Sequence, residues 1–515
     1  MTSTFHSIET SKRSLVTTTA SLSTVSHNIA NADSAGYSRQ VVHTSATNPL
    51  EAVAFKNATS AGQIGTGVEA TSVQRVRSLF LDTQFQGENS SLGSWDIRSD
   101  TLNKLETIVN EPSDTGLQTV INNFWSSWSD LSNNPQSTTN QKILKENTLA
   151  LTDAMNQMSK QLDALSNNLT SSVSLDSTTI NSLLSTVGSL NKSIMSVESQ
   201  GNDANDLRDS RDYAIDQLSK YGNVQVTQLS DGYQVNFGGQ NAVTGTTVTP
   251  VTAASLQTAY EGGTLSSGEV HGYLLSRDTY VADYKSQLNQ LANTLANGDL
   301  TVKLPSGSVI PEGTVLNGVT YSTAAGNRTL TSDLTVTVKG INGLHQLGYN
   351  SSGKAGGDFF GTTDGSGTVN AGNITMNKTL QDDASQIAFS LRTTGTGANE
   401  KVVTGNGGLA LLMTELQNTK MDFGGATPTT VQDYFNGIVG QMGVDSQEAT
   451  RQAANAKTLT DQVDASRKSV SGVSLDEEMT DLIKFQHAYS AASRFMTTFD
   501  QLLDKLINST GRVGL

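Results

Sequence analysis

Residues 475–507 read LDEEMTDLIKFQHAYSAASRFMTTFDQLLDKLI, and their apolar side chains follow the seven-residue period of a coiled-coil helix. One set recurs every seven residues and a second set follows three residues behind it. The two sets are Leu475, Leu482, Tyr489, Met496 and Leu503, and then Phe485, Ala492, Phe499 and Leu506. The stretch therefore predicts an amphipathic helix about 50 Å long at 1.5 Å per residue.

The same period occurs at the other end of the chain. The recurring residues there are Ile8, Leu15, Leu22 and Ile29. A helix over residues 3–31 would be about 43 Å long, so the two terminal helices are predicted to pair. The N-terminal stripe is the weaker half of the seam, because Ser11, Thr18 and Ala32 lie beside it. Periodicity alone allows two interpretations, a bundle closed within one monomer and an assembly seam between subunits.

The C-terminal helix has a predicted start. Ser474 is followed three residues later by Glu477, which is the spacing of a capping box. The Ser474 hydroxyl would accept from the third amide of the helix, and the Glu477 carboxylate would reach back to the cap amide. The acidic residues 476–478 are then expected to interact with the helix dipole rather than to act as a catalytic carboxylate pair.

Composition excludes several classes of function. The net charge is -15, which argues against nucleic acid and anionic membrane as partners. The chain has no cysteine, so disulfides, thiolate zinc sites and thiol catalysis are excluded. The N-terminus has no basic segment followed by an apolar run, and no apolar run reaches about 18 residues. We therefore expect either a cytoplasmic protein or one exported without a cleaved signal peptide.

The residues that could support catalysis or metal binding are scattered. The six histidines lack the spacing of metal ligands, and no nucleophile and base are paired in the sequence. Gly62 to Gly67 resembles a phosphate-binding loop but lacks the following Lys-Ser/Thr, so it is predicted to be a turn into a strand through Val68. The sequence predicts a protein that is not an enzyme and has no cofactor or metal.

The middle of the chain alternates between helical and β patterns. Residues 138–221 carry a helical period, with predicted breaks near Ser171 and at Gly201. A β-hairpin is predicted around Asp231 and Gly232. Further helices are predicted at 272–297, 409–419 and 434–470, and short β-branched runs separated by Gly, Ser and Asn fill residues 298–375.

These patterns predict an α+β multidomain fold. It has an elongated helical body, paired N- and C-terminal coiled-coil helices and a β-rich inserted outer domain. The predicted domains are 1–40 with 471–515 for terminal assembly, 41–297 with 376–470 for the helical body, and 298–375 for the insertion. A small β element is expected near 222–260 within the body.

A motif follows the first predicted helix. Residues 27–40 read HNIANADSAGYSRQ, which resembles the signature after the first helix of bacterial flagellar axial proteins. Asn and Asp tolerate left-handed backbone, and glycine supplies positive φ, so the chain is predicted to turn sharply out of the helix here. The residues that match the signature are Asn28, Asn31, Gly36, Tyr37, Ser38 and Arg39.

Other motifs narrow this resemblance. Residues 471–478 read SGVSLDEE and resemble the entry to the last helix in the flagellar hook-associated protein 1 family. Residues 205–212 (NDLRDSRD), 356–360 (GGDFF) and 483–489 (IKFQHAY) are similar to segments of the same family. The resemblance thus includes both ends and the middle of the chain.

The resemblance implies a structural subunit that joins the flagellar hook to the filament. Such a subunit would leave the cell through the flagellar type III apparatus without signal cleavage. It would be a monomer in solution and a homo-oligomeric ring in the extracellular flagellum. Implied partners are the hook protein, the second hook-filament junction protein and an export chaperone at the C-terminal helix, with no nucleic acid and no membrane. The alternative is a surface-displayed adhesin with a helical stalk and a β-rich binding domain.

Overall fold

The computed structural model describes residues 5–49, 65–111, 113, 116–395, 399–425 and 427–509. The chain divides into two compact units. One comprises Met1–Trp95, Val173–Gly272 and Ala453–Leu515, and the other comprises Asp96–Ser172 and Tyr273–Gln452. Long helices and small antiparallel sheets make up the described residues, which confirms the predicted α+β class.

The helices are numbered in chain order. They are α1 (His6–Ala30), α2 (Leu79–Val109), α3 (Leu117–Asn133), α4 (Thr138–Glu198), α5 (Asn205–Tyr221), α6 (Ala253–Glu261), α7 (Glu269–Leu275), α8 (Ala282–Asn297), α9 (Gly340–His345), α10 (Lys378–Asp382), α11 (Gly408–Glu415), α12 (Val431–Ser471) and α13 (Leu475–Ser509). A π-helical turn, Ser276–Val281, joins α7 to α8, so the helix predicted over 272–297 is confirmed with a local widening.

The strands form several small antiparallel sheets. They are β1 (Gln40–Ala46), β2 (Val68–Arg75), β3 (Val224–Leu229), β4 (Gly232–Phe237), β5 (Gln240–Thr244), β6 (Thr247–Val248), β7 (Asp299–Leu304), β8 (Val315–Leu316), β9 (Val319–Thr320), β10 (Leu334–Lys339), β11 (Phe360–Thr362), β12 (Ile374–Met376), β13 (Thr393–Thr394) and β14 (Lys401–Val402). Strands β3 to β6 make a four-stranded sheet, and the other strands pair in twos.

The predicted hairpin at Asp231 and Gly232 is confirmed as the β3–β4 turn, where Gly232 has a φ of 135°. The strand predicted through Val68 is β2, although residues 62–64 of the preceding turn lie outside the described part of the chain. Five strands, β7 to β11, lie within 298–375, the segment predicted to be β-rich, and β12 ends one residue beyond it. Strands β7 and β10 alternate buried and exposed residues, as half-buried strands do.

The predicted helix break near Ser171 is wrong. Helix α4 continues through it to Glu198, and the Ser171 hydroxyl donates to the carbonyl of Asn167 at 3.0 Å. A serine that bonds to the preceding turn is compatible with a helix, and neither Gly nor Pro lies nearby. The second predicted break is confirmed, since the helix ends before Gly201, which has a φ of 83°.

Candidate functional site

The two terminal helices pack against each other. Helices α1 and α13 contact each other extensively. Asn28, near the end of α1, hydrogen-bonds to Glu478, near the start of α13. The two helices are therefore antiparallel, and the prediction that the chain ends lie together is confirmed.

The covered face of α1 is built from small side chains. The four predicted seam residues, Ile8, Leu15, Leu22 and Ile29, are only half-buried. The most buried residues are Ser11, Thr17, Thr18, Ser21, Val25 and Asn28. The hydroxyls of Ser11 and Thr18 donate to carbonyls one turn earlier at 2.8 and 2.7 Å. Because these hydroxyls are satisfied within the helix, a polar face can lie closely against an apolar neighbour.

Helix α13 is apolar on more than the face that α1 covers. Apart from Ala492, eight residues of α13 follow the predicted seam period, and five of them are half-buried, namely Leu482, Phe485, Met496, Phe499 and Leu503. The other three, Leu475, Tyr489 and Leu506, are exposed, as are Met479, Ile483, Phe495, Leu502 and Ile507. This set of exposed side chains is called here the outer α13 surface. Several exposed large apolar side chains on one helix favour an interaction site there.

The outer α13 surface has two flanks. With Leu475 and Leu482 at heptad position a, Met479 falls at e and Ile483 at b. Phe495 and Leu502 both fall at g. Positions e and g lie on opposite sides of a coiled-coil seam. The helix therefore exposes apolar side chains on one side near its start and on the other side nearer its end.

The base of the helix pair is the end at which α1 finishes and α13 begins. Asn28 is the centre of a buried hydrogen-bond network there. Its side-chain oxygen accepts from the Tyr37 hydroxyl at 2.8 Å and from the Gln40 amide at 3.0 Å. Its side-chain nitrogen donates to the Gln40 carbonyl at 2.9 Å and to Glu478 at 3.0 Å. Burial, assisted by the negative charge of Asp206, raises the pKa of Tyr37, so this hydroxyl remains a donor.

Arg39 connects the motif at residues 27–40 to the start of α13. Its Nε donates to Glu478 at 2.7 Å, and its Nη1 donates to Glu477 at 3.1 Å. Its backbone amide donates to the carbonyl of Ser471, at the end of α12, at 2.8 Å. The Glu478 side chain is only 1% exposed, so its charge depends on Arg39 and Asn28 for compensation.

One half of the predicted capping box is present. The Glu477 amide donates to the Ser474 hydroxyl oxygen at 3.5 Å, a long bond. The Glu477 carboxylate faces Arg39 instead of the cap amide. An ion pair with a guanidinium thus replaces the reciprocal bond that the spacing predicted.

The rest of the motif turns the chain towards α5. The Asn31 side chain donates to the His27 carbonyl at 3.0 Å and so satisfies the end of α1. Gly36 has a φ of 80°, and a Cβ at this position would lie 2.7 Å from the Cβ of Tyr213. The Ser38 amide donates to Asp209 at 2.9 Å. Both the backbone conformation and the space therefore require glycine at position 36.

Behind this turn lies a buried cluster of charges that sequence reasoning missed. Arg75 Nη1 contacts Asp209 at 2.7 Å and Asp212 at 3.0 Å, and Arg77 Nε contacts Asp82 at 2.7 Å. Burial raises the pKa of Asp209 despite Arg75. Burial lowers the pKa of Arg77, but the charge of Asp212 and a hydrogen bond from Arg77 to Asp82 outweigh it, so that pKa is raised overall.

A spacing in α5 could have indicated this cluster. Asp209, Asp212 and Asp216 recur at intervals of three and four, which places three carboxylates on one helix face. Arg467 of α12 pairs with Asp216. The three motifs at 27–40, 205–212 and 471–478 thus meet at one place, the base of the terminal helix pair.

Among the described residues, no cluster of three or more His, Asp or Glu side chains could hold a metal ion. Within the same part of the chain, no helix is both long and apolar enough to cross a membrane. The base of the helix pair therefore has a structural role, because its buried charges and amides hold the ends of α1 and α13 in place.

Comparison with known proteins identifies the family. The model described as flagellar hook-associated protein FlgK helical domain matches residues 102–298, and that of flagellar basal body rod FlgEFG protein C-terminal matches 469–509. Flagellar hook-associated protein 1 of Bacillus subtilis (strain 168) is 35% identical, over 99% of this chain and 99% of that protein. The chain belongs to the flagellar hook-associated protein 1 family.

Less similar proteins of the same description also match over most of the chain. Flagellar hook-associated protein 1 of Escherichia coli (strain K12) is 24% identical over 95% of this chain and 97% of that protein. A solved structure of the flagellar hook junction protein FlgK from Burkholderia pseudomallei superimposes with a TM-score of 0.57 at 15% identity. It covers 76% of this chain and 100% of that one, which shows a shared fold. The adhesin alternative finds no support in these relatives.

Proposed function

We propose that this chain is a non-catalytic structural subunit of the junction between flagellar hook and filament, and that it assembles through its terminal helices. The observation that carries the proposal is the outer α13 surface, eight large apolar side chains exposed on one helix. Burying such side chains stabilises an assembly by roughly 1.5 to 3 kcal/mol each when burial is complete. The relatives named as hook-associated and hook junction proteins supply the location.

The arrangement of the outer α13 surface favours an assembly seam over a closed bundle. Helix α1 lies against the face that contains Leu482 and Phe485 and leaves the flanks at Met479 and Phe495 open. A subunit in a ring has one neighbour on each side and needs a contact surface on each side. Apolar flanks on opposite sides of the seam meet that requirement, whereas a helix pair that only closes a monomer would need neither.

The proposed partners follow from the same surface. In the assembled flagellum the helix pairs of neighbouring copies would pack together, with the hook protein on one side of the ring and the second junction protein on the other. Before assembly the exposed helix would aggregate unless a partner covered it, which is the role of an export chaperone bound at α13. The subunit would be a monomer until then, leave the cell without cleavage of a signal peptide, and function outside the cell.

Replacing the apolar side chains of each flank in turn by serine tests this proposal. The variants are Met479→Ser with Ile483→Ser, and Phe495→Ser with Leu502→Ser, in the full chain expressed in cells that lack the native copy. We expect both to leave the circular dichroism of the purified protein nearly unchanged and to abolish filaments in electron micrographs. The control is Leu175→Ser, which removes a still more exposed apolar side chain from α4. Normal filaments from both flank variants would contradict the proposal.

A further inference from the structure

The motif at residues 356–360 (GGDFF) lies in the unit that contains neither terminal helix. Helix α9 and the residue after it hold this motif. The side-chain oxygen of Asn342 accepts from the amides of the two phenylalanines of the motif at 2.9 and 2.7 Å. The Gln346 side chain donates to the Asp358 carboxylate at 2.6 Å. A third side chain of the same stretch, that of His345, completes the attachment.

The ring of His345 is fully buried and joins the motif to a second segment, residues 387–389. Its Nδ1 lies 2.6 Å from the carbonyl oxygen of Gly357, and the amide of Ala388 donates to its Nε2 at 2.9 Å. A carbonyl can only accept and a backbone amide can only donate, so the ring is neutral and its proton is on Nδ1. The arrangement therefore leaves no position for a second proton on the ring.

Apolar groups surround the ring. Phe359 packs edge-on against it, with the ring centroids 5.3 Å apart. The three residues of segment 387–389 are buried as well. Gly356 lies so close that a Cβ there would be 2.9 Å from Nδ1 of His345. An imidazolium in this position would be separated from water, which costs free energy unless an opposite charge is bound to it.

The neighbouring charges do not compensate for that burial. Helix α9 contacts α8, α11 and β10. The titratable side chains of these three elements are Asp283, Tyr284, Lys285, Glu415 and Lys339. In the described part of the chain none of them shifts the pKa of His345, segment 387–389 has no titratable side chain, and the motif has only Asp358. Burial lowers the pKa of His345 from 6.5 to about 4, against the hydrogen bond to Gly357 and the negative charge of Asp358.

We propose that His345 is an acid-sensitive latch that holds segment 387–389 against the GGDFF motif. Protonation of Nε2 would place two N–H donors opposite each other, so the imidazolium can form only after the Ala388 amide moves away from the ring. The bond to Gly357 survives protonation, because Nδ1 is a donor in both states. Acid therefore separates the two segments at the Ala388 side of the ring, and the proposed assembly through the terminal helices is not required for it.

The direction of the pH effect follows from proton binding. Between pH 6.5 and pH 4 the open segment binds a proton that the closed segment excludes, so the latch is fully stable above about pH 6.5 and weakens as pH falls. We expect the opening constant of segment 387–389 to rise about twentyfold from pH 7 to pH 5. Hydrogen exchange of the full chain, corrected for the intrinsic pH dependence of amide exchange, measures it at the Ala388 amide. An unchanged opening constant, or an equal rise in every helix, would overturn the latch.

Two substitutions identify the histidine responsible. His345→Asn cannot be protonated and keeps a donor for Gly357, so the rise between pH 7 and pH 5 should disappear. His271→Asn is the matched control, because Nδ1 of His271 lies 2.9 Å from the hydroxyl of Ser94, which can accept as well as donate. This variant should keep the twentyfold rise. A rise of the same size in His345→Asn would overturn the proposal.

A measurement on the unmodified chain covers the case in which His345→Asn does not fold. The chain has six histidines, and their ring signals can be followed by nuclear magnetic resonance after selective isotope labelling. We expect one ring to remain neutral at pH 5, with its proton on Nδ1. Six protonated rings in the folded chain at pH 5 would show that the site accepts an imidazolium, and the latch would be rejected.

Discussion

Asn28 and Glu478 lie 450 positions apart in the sequence, yet the side-chain nitrogen of Asn28 donates to the carboxylate of Glu478 at 3.0 Å. Both side chains are buried, whereas most of α13 beyond them is half-buried or exposed. The helix pair is therefore fixed at its base and open along its length. A fixed base sets the direction of the helices, and the open flanks remain available for other subunits.

Loss of the Asn28 side chain should release α1 from this base. Asn28→Ala removes four hydrogen bonds and leaves the Gln40 amide and carbonyl without their side-chain partner. We expect the opening free energy of α1 to fall by roughly 2 to 3 kcal/mol, since buried polar groups left unpaired cost about 1 to 3 kcal/mol each. Hydrogen exchange of the α1 amides measures it.

Asn31→Ala is the matched control, because Asn31 lies one turn later and is only half-buried. Its side chain donates to the His27 carbonyl at 3.0 Å and accepts from the exposed Ser34 hydroxyl at 3.3 Å. We expect a change of about 1 kcal/mol or less. Equal effects of the two substitutions would show that the Asn28 network contributes nothing beyond an ordinary helix end.

Arg39 and Glu478 should be strongly coupled. Arg39→Met leaves the buried Glu478 carboxylate without its guanidinium, which costs roughly 3 kcal/mol. Glu478→Gln removes the charge while it keeps the shape. The double variant should therefore be more stable than the sum of the single changes predicts, by roughly 1 to 3 kcal/mol. Urea unfolding of all four proteins measures the coupling, and additive effects would contradict it.

The sequence predicts the pairing of the chain ends correctly, because Leu482, Phe485 and Phe499 repeat with a strong apolar period. It predicts less well which residues of α1 are buried. Helix α1 buries Ser11 and Thr18, whose hydroxyls bond within their own helix, and a search for apolar periodicity counts such residues as solvent-facing. Small size, rather than apolarity, is what makes that face suitable for packing.

The base of the helix pair could be predicted only in part. The motif at 27–40 indicates a turn, and Gly36 is where the structure requires a left-handed residue. The partners of that turn come from α5, α12 and α13, and no local pattern specifies which carboxylate meets which guanidinium. The capping box failed in its second half for the same reason, since a distant residue, Arg39, competes for Glu477.

Gly36→Ala should destabilise the turn. A non-glycine residue at a φ of 80° costs roughly 1 to 2 kcal/mol, and the new Cβ would also lie 2.7 Å from that of Tyr213. We expect a loss of roughly 2 kcal/mol or more, measured by urea unfolding. Gly87→Ala is the control: it lies in α2 with nothing within 4 Å of its Cβ, and should stabilise by up to about 1 kcal/mol. A neutral Gly36→Ala would contradict the close packing against α5.

Asp176 should make stability depend on pH near neutrality. One of its carboxylate oxygens is buried without a hydrogen-bond partner in the described part of the chain. Burial and the negative charge of Glu269, only partly offset by Lys220, raise its pKa from 3.8 to about 7. Between these values the folded chain holds a proton that the unfolded chain has lost, so stability falls as pH rises from about 4 to 7 and is level above.

Asparagine at position 176 cannot ionise, so the Asp176→Asn variant should not lose stability as the pH rises through this range. The stability of the variant relative to the unmodified chain is therefore expected to increase from pH 4 to pH 7 and then remain constant, as measured by urea unfolding across that range. Asp364→Asn provides a control of opposite sign. Hydrogen bonds from Asn373 and Ser366 lower the pKa of Asp364, so its stabilising contribution is present above pH 4 and is lost only in acid. A pH-independent difference for Asp176→Asn would mean that its carboxylate is solvated in the folded chain.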